Sequence, residues 1–289
     1  MQLNPAAPIA HSSRFGAARA EAEAACRLRA QAVDRQVQPA TTPPVGSFRV
    51  DWALSNSEIR EAQRLRFKVF AGEMGARLAQ RDPRDHRDAD AFDAFCDHLI
   101  VRCTGGSQEG EVVATCRVLS PEGAGRVGSR YAETEFDLAP VRDLLSRSLE
   151  MGRVCVDPTW RNGLLVMALW RELGKRMEAQ HLDTLIGCSS VSLRDGGDAA
   201  EQLWHLLKRT HLVAPQWRVR PWVALTLQAQ DAGQPVLVPA LIKAYLRCGG
   251  KLLGPPAIDT AFNTADFPML MHLGDLPSRY SKRIFGASA

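Results

Sequence analysis

Hydrophobic and polar side chains alternate over short stretches and recur at helical spacing over longer ones, which predicts a domain of mixed strands and helices. Residues 48–54 alternate as in a half-buried strand, and Ser55 follows as a candidate N-cap for a helix that extends to about Glu73. Residues 97–103 and 111–119 predict two further strands, joined as a hairpin by a glycine-rich stretch.

The second half of the chain predicts a strand over residues 149–156 and then a long amphipathic helix over residues 164–180, where Leu165, Leu169, Leu173 and Met177 recur at helical spacing. A buried strand over residues 182–188 follows. The remaining predicted elements are a helix over 198–210, a strand over 218–227, a helix over 239–247 and a strand over 267–273. This order predicts an α/β (α+β) fold, a mixed sheet with helices on both faces.

Two segments lie outside this pattern. Residues 17–38 are rich in Ala, Glu, Arg and Gln, and a proline-rich break follows. We therefore expect residues 1–46 to be an appended N-terminal helix with a partly mobile linker, and residues 47–289 to form one domain. The charged residues 77–90 predict a loop too polar to pack.

The composition limits the class of protein. Of the 289 residues 45% are hydrophobic, yet no apolar run reaches the length of a membrane span and no apolar signal core follows the N-terminus. We therefore expect a cytoplasmic protein. The net charge of +4 is too small to indicate nucleic-acid binding.

The seven cysteines lack C-x-x-C spacing, so we interpret them as reduced core thiols, with a catalytic thiol at Cys155 or Cys188 as the alternative. The histidines lack paired ligand spacing and predict no metal site. Basic residues occur in clusters that suit an acidic protein partner or an anionic membrane surface, with peripheral association at the inner face of the cytoplasmic membrane. These clusters are Arg60, Arg64, Arg66 and Lys68; Arg77, Arg81, Arg84 and Arg87; Lys208 and Arg209; and Arg279, Lys282 and Arg283.

The strand over residues 149–156 carries Glu150 and Arg153, which regular alternation would place on opposite faces of the sheet. A bulge at Gly152 would turn both side chains toward one cleft and leave a backbone N–H unpaired. The alternative is an edge strand with a surface ion pair.

The order of elements resembles the plan of the GNAT-type N-acyltransferases. In detail the chain resembles the ornithine-lipid acyltransferases (L-ornithine N-alpha-acyltransferases) and, more distantly, the acyl-homoserine lactone synthases. Six segments between residues 47 and 283 carry the resemblance. They are Arg66-Phe-Lys-Val-Phe70, residues 90–101, Arg117, Glu150-x-x-Arg153, residues 186–190, and residues 261–266 with Arg279-Tyr280.

The turn that follows the central strand departs from the usual GNAT pattern. It has a single glycine, Gly163, followed by two leucines, whereas a pyrophosphate cradle uses several glycines so that backbone N–H groups can approach the phosphates. This difference favours a phosphopantetheine thioester on acyl carrier protein as the donor, with no other cofactor, and a reduced CoA site is the alternative. The resemblance implies donor contacts from Val154, Val156, Arg161 and Gly163.

The resemblance implies a base that accepts the amine proton, and Glu150 is the candidate, with Arg153 orienting it or gripping substrate. Asp93 and Asp97 would bind the distal ammonium of a cationic amino acid, unless they serve as caps and solvated loop acids.

Arg66 and Arg117 would hold the substrate carboxylate, unless they pair internally with Asp93 or Glu150. Phe70 and Trp160 would pack or line an acyl groove. Asn263 and Asp266 are implied as substrate-binding residues by the resemblance alone.

The resemblance implies an N-acyltransferase that moves a (3-hydroxy)acyl group from acyl carrier protein to the α-amine of L-ornithine and gives lyso-ornithine lipid. One alternative is an autoinducer enzyme like the acyl-homoserine lactone synthases. The other is a non-catalytic lipid- or protein-binding module on the same fold.

Overall fold

A computed structural model describes residues 47–78, 85–161, 163–227, 237–278 and 280–281. The predicted N-terminal helix and linker therefore lie outside the described residues, as do Arg279 and the basic residues beyond it. The strands are β1 (Phe48–Trp52), β2 (Asp97–Cys103), β3 (Val112–Leu119), β4 (Phe136–Asp137), β5 (Ser148–Val156), β6 (Thr184–Ser192), β7 (Arg220–Pro221), β8 (Lys251–Leu252), β9 (Ala257–Asp259) and β10 (Thr264–His272). The α-helices are α1 (Asn56–Phe67), α2 (Pro121–Val127), α3 (Arg142–Leu145), α4 (Leu164–Ala179), α5 (Asp198–Leu207) and α6 (Ala240–Arg247).

The main sheet is mixed, with the order β1-β2-β3-β5-β6-β10-β8 and β9 also paired to β10, and it confirms the predicted fold class. All pairs in this sheet are antiparallel except β5 with β6. One face packs against α4, α5 and α6 in the main hydrophobic core, and α1 packs in a smaller apolar cluster with Cys155 of β5. Helices therefore lie on both faces.

Helix α1 begins as the sequence predicts. Ser55 and Glu58 form a capping box, in which each side chain accepts a hydrogen bond from the other residue's backbone N–H. The predicted helix to Glu73 is α-helical only to Phe67, because residues Lys68–Glu73 form a π-helix. A π-helical turn is wider than an α-helical one, and such turns recur at functional sites.

Strands β5 and β6 diverge, and this divergence creates the space for a site. Their parallel pairing covers only Ser148–Met151 of β5 and residues 184–187 of β6, although both strands continue beyond it. A Cβ on Gly187, the last paired residue of β6, would overlap the carbonyl oxygen of Met151. Only glycine therefore fits where the two strands separate.

Two predictions about local structure are wrong. The strand expected over residues 218–227 is reduced to the two-residue β7, because this segment pairs with β4 outside the main sheet. The loop over residues 77–90 was expected to be too polar to pack, yet Asp88 in this segment is only 3% exposed. Ion pairs with buried arginines make its burial tolerable.

Candidate active site

A cavity of about 420 Å³ opens where β5 and β6 separate. Residues 152–156 and the first turn of α4 line one side, and β6, β9 and β10 line the other. Val69, Phe70 and Met74 from the π-helical segment and its end add apolar surface. The volume lies in the range of small-molecule sites.

Glu150 lines the cavity and is 4% exposed. Its carboxylate accepts backbone hydrogen bonds from Ala132 at 2.6 Å and Tyr131 at 3.1 Å. Burial raises the pKa of Glu150, and these hydrogen bonds offset part of the rise. The carboxyl group is thus a stronger base than an exposed one when it is ionised.

The predicted bulge exists, but one residue later than expected. Gly152 pairs regularly with Arg117, whereas Arg153 and Val154 together face the single residue Cys116. Arg153 adopts a left-handed backbone conformation with φ of 52°. As predicted, Glu150 and Arg153 both line the cavity. Arg153 was expected to orient Glu150 or to bind substrate. In the structure its ion pairs are with Asp88 and Asp90 and not with Glu150.

Three arginines and three aspartates form a buried network beside the cavity, which we call the Arg–Asp network. Arg66 is fully buried and contacts Asp88 at 2.8 Å and Asp93 at 2.9 Å. Arg117 contacts Asp90 at 2.5 Å and Asp93 at 3.3 Å. Arg153 contacts Asp88 at 3.2 Å and Asp90 at 3.1 Å. The formal charges of the six residues cancel.

The network bears on three predicted substrate contacts. Arg66, Arg117 and Asp93 show the internal pairing that the sequence left open, and none of them lines the main cavity. Burial by itself would raise the pKa of Asp93, but Arg66 and Arg117 outweigh it and hold this pKa well below its usual range. The Arg153 guanidinium also lies 4.7 Å from the centre of the Tyr131 ring and 4.6 Å from that of Phe262.

Asp97 and Asn263 are not brought to the cavity. The Asp97 side chain is 51% exposed and binds Arg176 at 2.9 Å. Asn263 lies in the turn between β9 and β10 with φ of 55°, where its carbonyl accepts the N–H of Leu193. Both positions therefore have a structural explanation independent of substrate.

The predicted donor residues Val154, Val156, Arg161 and Gly163 do line the cavity, together with Phe70 and Trp160. Arg161 binds Glu73 through both terminal nitrogens at 2.6 Å. Gly163 takes φ of 77° at the start of α4, a conformation that favours glycine. Trp160 is buried and donates a hydrogen bond to Gln108 at 2.9 Å.

Further acids and a tyrosine at the cavity carry no sequence signal that predicts them. Tyr131 and Asp259 line the cavity beside the predicted Asp266, and Glu135 lies close behind them. Glu135 stands in an ordinary acid-containing loop sequence, so no spacing signal could have singled it out.

The cysteines of the described residues form no disulfide. Burial raises the pKa of both Cys155 and Cys188, which keeps these thiols protonated and weakly nucleophilic. The interpretation as reduced thiols agrees with this. Within the described part of the chain, no helix is long and apolar enough to cross a membrane.

Comparison with known proteins gives consistent matches. Residues 65–171 match the acetyltransferase (GNAT) domain family. An L-ornithine N(alpha)-acyltransferase of Rhodobacter capsulatus is 33% identical over 83% of this chain and 97% of its own length. The enzyme of the same name from Brucella abortus is 33% identical over 85% of this chain and 91% of its own.

Among solved structures, the AHL synthase LasI is 13% identical, with a TM-score of 0.48 over 83% of this chain and 96% of that chain. The GNAT match and the shared name of the curated relatives identify the chain as an acyltransferase. Because the identity to the curated relatives holds across most of both chains, the protein belongs to the L-ornithine N(alpha)-acyltransferase family.

Proposed function

We propose that this protein transfers an acyl group from a thioester on acyl carrier protein to the α-amine of L-ornithine, and that the product is lyso-ornithine lipid. Membership of the family supports ornithine as the acceptor. The cavity between β5 and β6, which the buried residue Glu150 lines, is the observation that carries the proposal.

The chemistry needs a neutral amine next to a thioester carbonyl. The amine nitrogen forms a bond to the carbonyl carbon, the C–S bond breaks, and the thiol leaves with a proton. Glu150 accepts the proton lost by the amine, directly or through a water molecule, and then returns it to the leaving thiolate. Its raised pKa suits this role, since a base works best when its pKa approaches the working pH.

The donor enters along β5. Beyond Met151, β5 no longer pairs with β6, and its bulge at Arg153 and Val154 interrupts the pairing with β3. A backbone N–H group of this part of β5 can therefore donate a hydrogen bond to the thioester oxygen. Val69, Phe70 and Val166 offer apolar contact to the acyl chain. Arg161 is already held by Glu73, which leaves it a poor pyrophosphate ligand and supports a carrier-bound donor over CoA.

The test of the base compares Glu150→Gln with Glu178→Gln, an exposed glutamate on the outer surface of α4. Purified enzymes are given 3-hydroxyacyl carrier protein and ornithine, and the lyso-lipid is measured by mass spectrometry. Turnover should fall by about 10²-fold or more in Glu150→Gln and stay at the wild-type level in the control. Near-native turnover of a folded Glu150→Gln enzyme would remove Glu150 from this role.

The test of the donor compares acyl carrier protein with the matching acyl-CoA over a range of salt concentrations. An acidic carrier would meet two exposed basic side chains close in sequence to the cavity-lining residues Val69 and Met74. They are Arg77, and Lys68, whose side chain is 64% exposed while it pairs with Asp157 at 2.7 Å. We expect a large preference for the carrier-bound donor that weakens as salt rises. Equal efficiency of both donors at all salt concentrations contradicts this part of the proposal.

Peripheral membrane association is the last part of the proposal. The product carries one acyl chain and a charged head group, so it belongs in a lipid surface. Sedimentation with vesicles containing anionic lipid should recover more of the full-length protein than sedimentation with neutral vesicles. Equal recovery from both would exclude an electrostatic contribution.

A further inference from the structure

Three side chains that take no part in the Arg–Asp network come together beside the cavity. Asp266 of β10 and Cys188 of β6 line the cavity, and Glu135 reaches them from the residue before β4. One ligand atom from each residue lies within 4.8 Å of the other two. We call these three residues the acidic cluster.

Glu135 is the unusual member of the cluster. Both its carboxylate oxygens are buried, and neither accepts a hydrogen bond of normal geometry from another described residue, although the Tyr131 hydroxyl lies near enough to lower the pKa of Glu135. Asp266 is 5% exposed and accepts hydrogen bonds from neutral hydroxyl groups, from Thr264 at 2.8 Å and from Ser190, its neighbour on β6. A buried carboxylate without partners is costly unless it gains a cation or keeps a proton.

The contrast with the Arg–Asp network shows what is missing. In that network every aspartate pairs with an arginine within 4 Å, whereas among the described residues Arg153 acts on Glu135 and Asp266 only at longer range and forms no ion pair with either. The cluster therefore places two acids beside the cavity whose ionised forms no close cation among the described residues stabilises. A cationic ligand group would complete it.

We propose that Glu135 and Asp266 form the subsite for the distal ammonium group of the cationic amino-acid acceptor. This inference rests on the proposed function, and it replaces Asp93 and Asp97 as the residues for that group. Asp93 is already neutralised by Arg66 and Arg117, and Asp97 lies on the surface.

The spacing along the sheet fits such an acceptor. Cys188, the member of the cluster on β6, lies two residues beyond Ile186, which pairs with Glu150. Two strand residues span about 7 Å. This separation suits an amino acid whose α-amine is near Glu150 and whose ammonium lies at the end of three methylene groups.

The titration of the cluster gives the subsite a distinctive signature. Burial and the nearby Asp259 raise the pKa of Asp266 to about 6. Burial, Asp266 and Asp259 raise the pKa of Glu135 well above its ordinary value, with partial offsets from the Tyr131 hydroxyl and from Arg153. Glu150 and Cys188 also face this region, and both have raised pKa values. An ammonium group bound between Glu135 and Asp266 would stabilise their ionised forms and expel protons.

The kinetic test compares ornithine with norvaline, which has the same carbon chain, α-amine and carboxylate but no distal ammonium. Glu135→Gln and Asp266→Asn should each raise the KM for ornithine at least tenfold, while the KM for norvaline changes less than twofold. Glu133→Gln is the matched control, because Glu133 is exposed two residues away and its one acceptor role, to the N–H of Arg130, is available to glutamine. Unchanged ornithine-to-norvaline ratios in both folded variants overturn the subsite.

A binding test separates this inference from the proposed function. Calorimetry of ornithine binding to the full-length enzyme in two buffers of different ionisation enthalpy should show proton release near pH 6.5, and norvaline should show less. Wild-type enzyme that binds ornithine with proton release but does not acylate it would refute the proposed function alone. Tight binding of Mn²⁺ or Zn²⁺ that depends on Glu135, with no proton release by ornithine, would identify a metal site and overturn the subsite.

Discussion

Replacing Asp93 with asparagine is expected to weaken the fold and to leave ornithine binding unchanged. Asp93 is 7% exposed and contacts the guanidinium groups of Arg66 at 2.9 Å and Arg117 at 3.3 Å. Asparagine keeps the shape but removes the charge, so the Arg–Asp network acquires an uncompensated positive charge. Its buried location prevents water from supplying that compensation.

The magnitude follows from the contacts that remain. Removal of one partner from a buried ion pair costs about 3–5 kcal/mol. Arg66 keeps Asp88 at 2.8 Å and Arg117 keeps Asp90 at 2.5 Å, so neither guanidinium is left alone. We therefore expect the free energy of unfolding to fall by about 2–3 kcal/mol, just below the range for a pair broken completely.

The stability difference between wild type and Asp93→Asn should also depend on pH. The arginines hold the pKa of Asp93 below its value in the unfolded chain. Its stabilising contribution is therefore complete above the unfolded pKa of about 4 and is lost as the pH falls toward the lower folded value. The stability difference between wild type and Asp93→Asn should be largest near pH 7 and should shrink below about pH 4.

Urea denaturation followed by far-ultraviolet circular dichroism at several pH values measures these differences. Asp97→Asn is the control, because its side chain is 51% exposed and its ion pair with Arg176 should contribute less than about 1 kcal/mol. Steady-state kinetics of the folded enzymes should give the wild-type KM for ornithine in both. Wild-type stability of Asp93→Asn together with a selective rise in that KM would refute the reasoning.

Three further outcomes are expected. Gly187→Ala should lower the free energy of unfolding by about 1–3 kcal/mol in urea denaturation, because its Cβ would overlap the carbonyl oxygen of Met151; an unchanged midpoint contradicts this. Arg153→Lys keeps the charge but loses the planar group that lies over Tyr131, so kcat/KM should fall about tenfold or more while the circular dichroism spectrum stays native. Glu135→Gln should be more stable than wild type at pH 8, because the pKa of Glu135 is higher in the folded protein than in the unfolded chain and ionisation therefore destabilises the fold. This advantage should vanish below about pH 5, where the carboxyl group is protonated in both states. Equal stability of the two proteins at pH 8 argues against a buried charge at Glu135.

Local signals in the sequence account for much of the fold. The Ser55 and Glu58 capping box and the leucine spacing of α4 are contacts between near neighbours, so the sequence alone places those elements correctly. The prediction of a strand over residues 218–227 was wrong, because the apolar composition of a segment does not determine which strand it pairs with. In the structure it contributes only β7, paired with β4 far away along the chain.

The candidate site was predictable to the extent that it lies on one strand. Glu150, Arg153, Val154 and Val156 follow from β5, its bulge and the family resemblance, and all of them line the cavity. The exact bulge position did not follow, because the sequence suggested Gly152 as the residue best suited to it. The structure places the left-handed conformation at Arg153, where aspartates and aromatic rings hold the side chain.

The assignment of acids to roles could not be made from the sequence, because it depends on which arginine each acid meets. Asp93 and Asp266 are both buried aspartates near the same cavity, yet neighbouring arginines lower the pKa of Asp93 while burial and Asp259 raise that of Asp266 to about 6. A carboxylate that already pairs with two arginines gains little further stabilisation from a cationic substrate. An acid that is buried without a close cation is costly to ionise, and a bound ammonium group lowers that cost. Such an acid therefore favours a charged acceptor over a neutral one. Charge compensation, which only the folded chain reveals, therefore decides that Glu135 and Asp266 are the acids to test for acceptor specificity.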